Sequence, residues 1–163
     1  MFNEKTKISD SFKMSGIKKA EEGLKICGKV RLIGHNKDGS LAFDYEVPNL
    51  ITHAGFDAIC AQIGNPTQPA HFGWMAIGDG EVQDDTDVLL THELARVAAT
   101  YAHTAGTVAF TITGVFTTVE AATNYGCFNV ATANTPTMLN TAGFDVITIS
   151  SLTIIATFTF SHT

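Results

Sequence analysis

Charge is scarce in this chain. Only 16% of its 163 residues are Asp, Glu, Lys or Arg, against roughly 25% in an ordinary soluble domain. After Arg96 there is no lysine or arginine at all, and the only acids there are Glu120 and Asp145. With a net charge of −6, the chain as a whole lacks the basic surface that a nucleic-acid binder presents. Cysteine is equally sparse. Cys27, Cys60 and Cys127 are odd in number and far apart, so they form neither a disulfide framework nor a thiolate metal motif, and buried free thiols are expected. No apolar run is long enough to cross a bilayer as a helix, and no apolar leader opens the chain. A protein made in a cytoplasm and without a membrane partner is expected.

The motifs of catalysis are missing too. His35, His53, His71, His92, His103 and His162 never fall into a zinc-binding spacing. There is no G-x-S-x-G nucleophile elbow, and Gly78-Asp79-Gly80 is too short to cradle a phosphate. Glu120 and Asp145 are the only pair of carboxylates that the C-terminal half could offer to a carbohydrate-cleaving site. No enzyme and no cofactor are expected.

The charge that is present is unevenly placed. Lys5, Lys7, Lys13, Lys18 and Lys19 crowd a polar N-terminal segment with little periodicity, read as a flexible basic arm over residues 1–23, disordered or ordered only against a partner. Asp79, Glu81, Asp84, Asp85, Asp87 and Glu93 crowd the middle. That asymmetry points to assembly. Oxygen-rich segments suit calcium, but the spacing of these acids is not that of an EF-hand loop, so a solvated loop stands ahead of a calcium site, and a charged contact to a partner's basic patch comes after both.

At this length one domain with a sizeable core is expected, spanning residues 24–163. Ile26, Gly28, Val30 and Leu32 alternate with charged residues, and Leu41, Phe43, Tyr45 and Val47 alternate after Asp38-Gly39. Together they predict a β-hairpin. The stretch Val47–Arg96 follows. Thr52 is a candidate N-cap for a short helix near residues 51–63, whose Phe56, Ile59, Cys60 and Ile63 share one face. Gly64-Asn65-Pro66 ends it. Phe72 to Ile77 is a short strand-like run.

From Ala95 onward the pattern is strand after strand: Val97–Tyr101, Thr107–Thr118 with Gly114 inside it, Tyr125–Val130, Thr137–Asn140, a turn at Ala142–Asp145, and Val146–Ser161. Gly114 predicts a bulge or a close backbone approach. The inward parity of the last strand flips at Ser150-Ser151, which predicts a bulge there. The expected fold is mainly β, an antiparallel β-sandwich or jelly-roll-like domain with one short α-helix.

Several segments also share an order. "NLITHAGFDAICAQIG", "MAIGDG", "DDTDVLLTHELAR", "FTITGVFT", "YGCFNVAT" and "TMLNTAGF" succeed one another, and this succession resembles small structural proteins of tailed bacteriophages. The matching positions are Asn49, Leu50, Thr52, Ala54 and Gly55; Ala76, Ile77, Gly78 and Gly80; Glu93 and Arg96; and Gly126, Phe128, Asn129, Thr137, Met138 and Leu139. The likeness covers about residues 28–160. The acidic turn at Asp79 and Glu81, with His92 and Cys127, departs from it.

The resemblance implies a virion component assembled in the host cytoplasm. The first expectation is a capsid decoration, or cement, protein that binds the assembled head. Its partners would be the major capsid protein and copies of itself, as a trimer or dimer. Lys5, Lys7, Lys13, Lys18 and Lys19 would make the contacts, with Asp84, Asp85 and Asp87 pairing between subunits. The second expectation is a tail-fibre or tail-tip protein that meets the host receptor through the loops of Phe72 to Asp87.

Overall fold

A computed structural model of the chain describes residues 23–67, 69–81 and 83–162. The arm lysines Lys5, Lys7, Lys13, Lys18 and Lys19 lie outside the described residues. Among those described, eight strands form one antiparallel sheet, and a single α-helix accompanies it. The strands follow the order β2-β1-β8-β7-β4-β5, with β3 added to β8 and β6 to β7.

The first hairpin is the expected one. β1 (Leu24–His35) pairs with β2 (Leu41–Pro48) across a loop in which Gly39 takes a φ of +83°, a left-handed conformation that costs glycine little. The Asp38 carboxylate closes the loop by accepting from the Ser40 amide at 3.0 Å and its hydroxyl at 2.6 Å. These bonds hold the Asp38 carboxyl below its ordinary pKa. Along β1 the alternation separates core from surface. Val30 and Leu32 are fully buried, while Lys29 and Arg31 reach diagonally to Glu46 and Asp44 at 2.7 and 2.5 Å.

β3 (Leu50–Ile51) leads directly into α1 (His53–Gly64). Thr52 is its N-cap in extended conformation, and its hydroxyl accepts from the Gly55 amide at 2.9 Å. The apolar stripe read from the sequence is only partly covered. Ile59 packs on the core, but Phe56 and Ile63 remain 43% and 77% exposed.

β4 (Trp74–Gly78) and β5 (Glu93–Ala98) form the next hairpin, with the acidic segment between them. The single strand expected over Val97–Tyr101 is broken at Ala99, whose amide donates to Gly73 O at 2.8 Å. The chain then continues as β6 (Thr100–His103).

Two very long strands complete the sheet. β7 (Ala109–Phe128) and β8 (Met138–His162) pair along almost their whole length. This overturns the expected division of both segments. Thr107–Thr118 and Tyr125–Val130 belong to one strand, and Ala142–Asp145 is no turn but part of β8. The departures from regular pairing of β7 with β8 lie between Val119 and Asn124 and between Cys127 and Phe128, and Thr118 and Ala121, at the first of these, take positive φ. The parity flip at Ser150-Ser151 is present, since Ile147 and Leu152 are both buried. Pairing nevertheless runs in register from Thr117↔Ser151 to Val119↔Ile149, so no extra residue is inserted in β8 there.

The sheet bends over this region, so that the two halves of each long strand face one another. Met75 pairs with Cys127 near the end of β7, yet its side chain lies over Gly114 in the first half of that strand. A Cβ on Gly114 would come within 2.7 Å of Met75 Sδ. The glycine is thus explained by a close approach. Val30, Leu32, Met75, Ile112, Phe116, Tyr125, Leu152, Ile154 and Phe158 form the core between the two layers. The result is sandwich-like, made from one continuous sheet with α1 at one end.

Candidate functional site

The residues that carry the phage resemblance are best understood from what they touch. Thr52 donates its hydroxyl to Met138 O at 2.5 Å, and its amide donates to Leu139 O at 3.1 Å. Gly55 packs so closely that a Cβ would lie 2.1 Å from Leu139 O. Gly126 meets Met138 in the same way, with Sδ 2.7 Å from a Cβ built there. Nearby, the Asn49 side-chain oxygen accepts from Asn140 Nδ2 at 2.6 Å and from the Tyr125 hydroxyl at 3.2 Å, and Asn140 also bonds the Tyr125 hydroxyl. Burial pushes the Tyr125 phenol well above its ordinary pKa, so it stays a neutral donor. These residues form a joint that fixes the start of α1 to the start of β8.

Glu93 and Arg96 form a second joint. The guanidinium makes a two-pronged contact with the carboxylate, Nε to Oε1 at 2.8 Å and Nη2 to Oε2 at 2.6 Å. It also donates to Val130 O at 2.9 Å and stacks 3.8 Å above the Phe128 ring. Glu93 further accepts from the Asn134 amide at 3.1 Å. Both side chains are almost wholly buried, so every one of these bonds offsets desolvation. The pair pins the connection between β7 and β8 against β5.

The acidic segment spends its carboxylates on its own conformation. Asp84 accepts from the Thr86 amide and hydroxyl at 2.8 and 2.6 Å, and Asp87 accepts from the Asp84 amide at 2.8 Å. The Thr86 hydroxyl, with its backbone amide, holds the Asp84 carboxyl below its ordinary pKa. Asp85 faces His53 at the beginning of α1, 3.4 Å from its Nε2, and its carbonyl accepts the His53 amide at 2.7 Å. Asp79 pairs with His92. No group of three or more His, Cys, Asp or Glu side chains gathered to hold a metal occurs among the described residues. Glu120 lines a polar recess with His35 and Lys37, while Asp145 acts on the Tyr45 phenol, which burial and that carboxylate raise.

The feature that sequence reasoning missed is an apolar groove at the far end of α1. It has a volume of about 490 Å³ and is walled by Ile26, Ile59, Ile63, Tyr101, Phe110 and Phe160. Its rim is exposed: Ile63 is 77% and Tyr101 59% accessible. These residues come from a helix and the ends of four different strands. Ile59 and Ile63 were legible as an apolar helical face, but what stands opposite them depends on strand pairing.

Comparison of the chain with protein-family models, with characterised proteins and with solved structures finds no match in any of the three.

Proposed function

We propose that this chain is a structural protein of a tailed-phage particle, a decoration protein that binds the assembled head and stabilises it. One observation carries the reading. The positions that match the phage pattern are scattered from Asn49 to Leu139 in sequence, yet many of them meet in the two joints around Thr52–Leu139 and Glu93–Arg96. A shared motif order built from the residues that hold the layers together is what a shared scaffold would leave in a sequence. Functional differences would then lie outside the joints, in the acidic turn at Asp79 and Glu81, where this chain departs from the pattern, and in the arm, which the pattern does not cover.

A binder of the assembled shell stabilises it by mass action, because it adds binding free energy to the shell and not to its dissociated subunits. The arm lysines Lys5, Lys7, Lys13, Lys18 and Lys19 are suited to acidic shell surface, and the exposed carboxylates of Asp84 and Asp85, with the half-buried Asp87 beside them, to a basic patch on a neighbouring copy. Closed rotational symmetry, as a dimer or trimer, is the default for such copies.

The test is to add purified chain to emptied heads of the phage that encodes it, and to follow co-sedimentation and the melting temperature of the shell. Saturable binding with a rise in melting temperature is expected. Replacing the five arm lysines by glutamate should abolish both effects. Heads that bind no chain and melt unchanged would refute the decoration role.

A further inference from the structure

We infer that the polar recess where the first hairpin loop meets the bend of the long strands is a binding site for a neutral glycan, with Glu120 and Lys37 as its charged contacts. The recess has a volume of about 750 Å³, within the size range of ligand pockets. His35 and Lys37 stand on its loop side, Thr118 and Glu120 come from β7, and Thr148 and Ser150 come from β8. A β-bulge brings Glu120 there. Between the pairs Val119↔Ile149 and Ala122↔Ile147, two residues of β7 stand against Thr148 alone. Val119 and Ala122 both stay buried, so Glu120 and Ala121 are both turned outward. The Ala121 amide donates to the Thr148 hydroxyl at 3.1 Å. Bulges re-aim side chains in this way beside functional sites. The bend of the sheet accounts for the bulge. It does not account for exposed Thr118 at a φ of +57°, which a β-branched residue adopts only at a cost.

The groups around the recess are uncommitted. Elsewhere in the first hairpin the charges are spent: Lys29 on Glu46, Arg31 on Asp44, and the Asp38 carboxylate on Ser40. The side chains of Lys37, Glu120, Ser150 and Ser151 make no hydrogen bond or ion pair among the described residues. Their chemistry selects the ligand. Glu120 repels a polyanion and Lys37 repels a bare cation, which would also find no group of three or more His, Cys, Asp or Glu ligands among the described residues. An apolar ligand would cover the hydroxyls without pairing them. A sugar ring meets every demand. Its hydroxyls donate to the Glu120 carboxylate and accept from the Lys37 ammonium, and the Ser and Thr hydroxyls serve it as donors or acceptors. Its C–H face lies on Val119 and Ile149, which also line the recess. Glu120 is the one carboxylate among the lining residues, so the recess lacks the pair that glycoside cleavage uses and is suited to binding. This site belongs to the chain itself and stands independently of the decoration role.

The test uses the full chain carrying a fluorophore on the exposed thiols Cys27 and Cys60, which leaves Lys37 unmodified. The labelled chain is applied to an array of immobilised neutral and acidic glycans. Retention on neutral glycans, competed by the same glycan in solution, is expected. In ¹⁵N spectra of the unlabelled full chain that free glycan should shift the amides of residues 36–39, 118–121 and 148–151. Glu120→Gln keeps the size of the side chain and removes its charge. It should weaken binding about tenfold, the loss expected for one charge-assisted hydrogen bond, and leave the melting temperature unchanged. Three results would overturn the inference. One is no retention on any neutral glycan. Another is retention that Glu120→Gln leaves at full strength, which would place the contact elsewhere on the chain. The third is retention confined to acidic glycans and competed by inorganic phosphate, which would make the recess an anion site.

Discussion

The two ends of α1 show two different uses of the same helix. At its N-terminus, capping, close packing and a connection to the acidic segment coincide. Thr52 serves the Gly55 amide and the Met138 carbonyl at once, Gly55 lies against Leu139, and His53 donates to Asp85. At its C-terminus Ile63 stands in solvent over an apolar groove, and Gln62 holds the following loop through Pro69 O at 2.9 Å. The hydrophobic effect is no weaker at one end than the other. The difference is that Thr52 and Gly55 tie the first end to the backbone of β8, whereas the second borders an open apolar groove. A helix anchored at one end and apolar at the other can present its far end to a ligand without putting the fold at risk.

That contrast can be broken from the anchored side. The largest effect is expected at the buried ion pair, where Arg96→Ala leaves Glu93 uncompensated and should destabilise the chain by about 3–5 kcal/mol, measured by urea unfolding. Gly55→Ala follows. The added methyl must displace the backbone at Leu139, because no flexible side chain is there to yield, and overpacking of this sort costs about 1–3 kcal/mol. Thr52→Ala removes a cap and strands the first turn, for a loss of about 1–2 kcal/mol. At the groove end Ile63→Glu should change stability by less than about 0.5 kcal/mol. If Ile63→Glu proves as damaging as Thr52→Ala, the two ends are not different in kind.

The smallest perturbation is chemical labelling. Cys27 and Cys60 are exposed and Cys127 is buried, and burial raises the Cys127 thiol far above the range in which a thiolate forms near neutrality. A disulfide reagent at neutral pH should titrate two thiols in the native protein and the third only after unfolding. Prompt reaction of all three would mean that β7 opens readily beside Met75.

Local chemistry made the anchored features legible in the sequence. Asp38-Gly39 announces its turn, alternation around Val30 and Leu32 announces a half-buried strand, and Thr52 ahead of an apolar stripe announces a helix start. The long strands were obscured by the same kind of reasoning. Gly143 makes Ala142–Asp145 look like a turn, yet it pairs with Asn124 inside the sheet, while Gly126 is small because Met138 lies against it and Asn124 uses its amide to hold Gly80 O and Glu81 O at 3.1 and 3.0 Å. A residue chosen for close packing and one chosen for a turn are the same residue on paper. The groove was hidden for a different reason. Ile26, Tyr101, Phe110 and Phe160 are brought together by pairing between distant strands, and no local pattern encodes that meeting.

The proposed decoration role is tested most directly by whether purified phage particles contain this chain and, where they do, by its number of copies relative to the major shell protein. Decoration predicts a fixed stoichiometric proportion to the shell subunit. A few copies per particle, in multiples of three or six, would contradict it and move the protein to the tail.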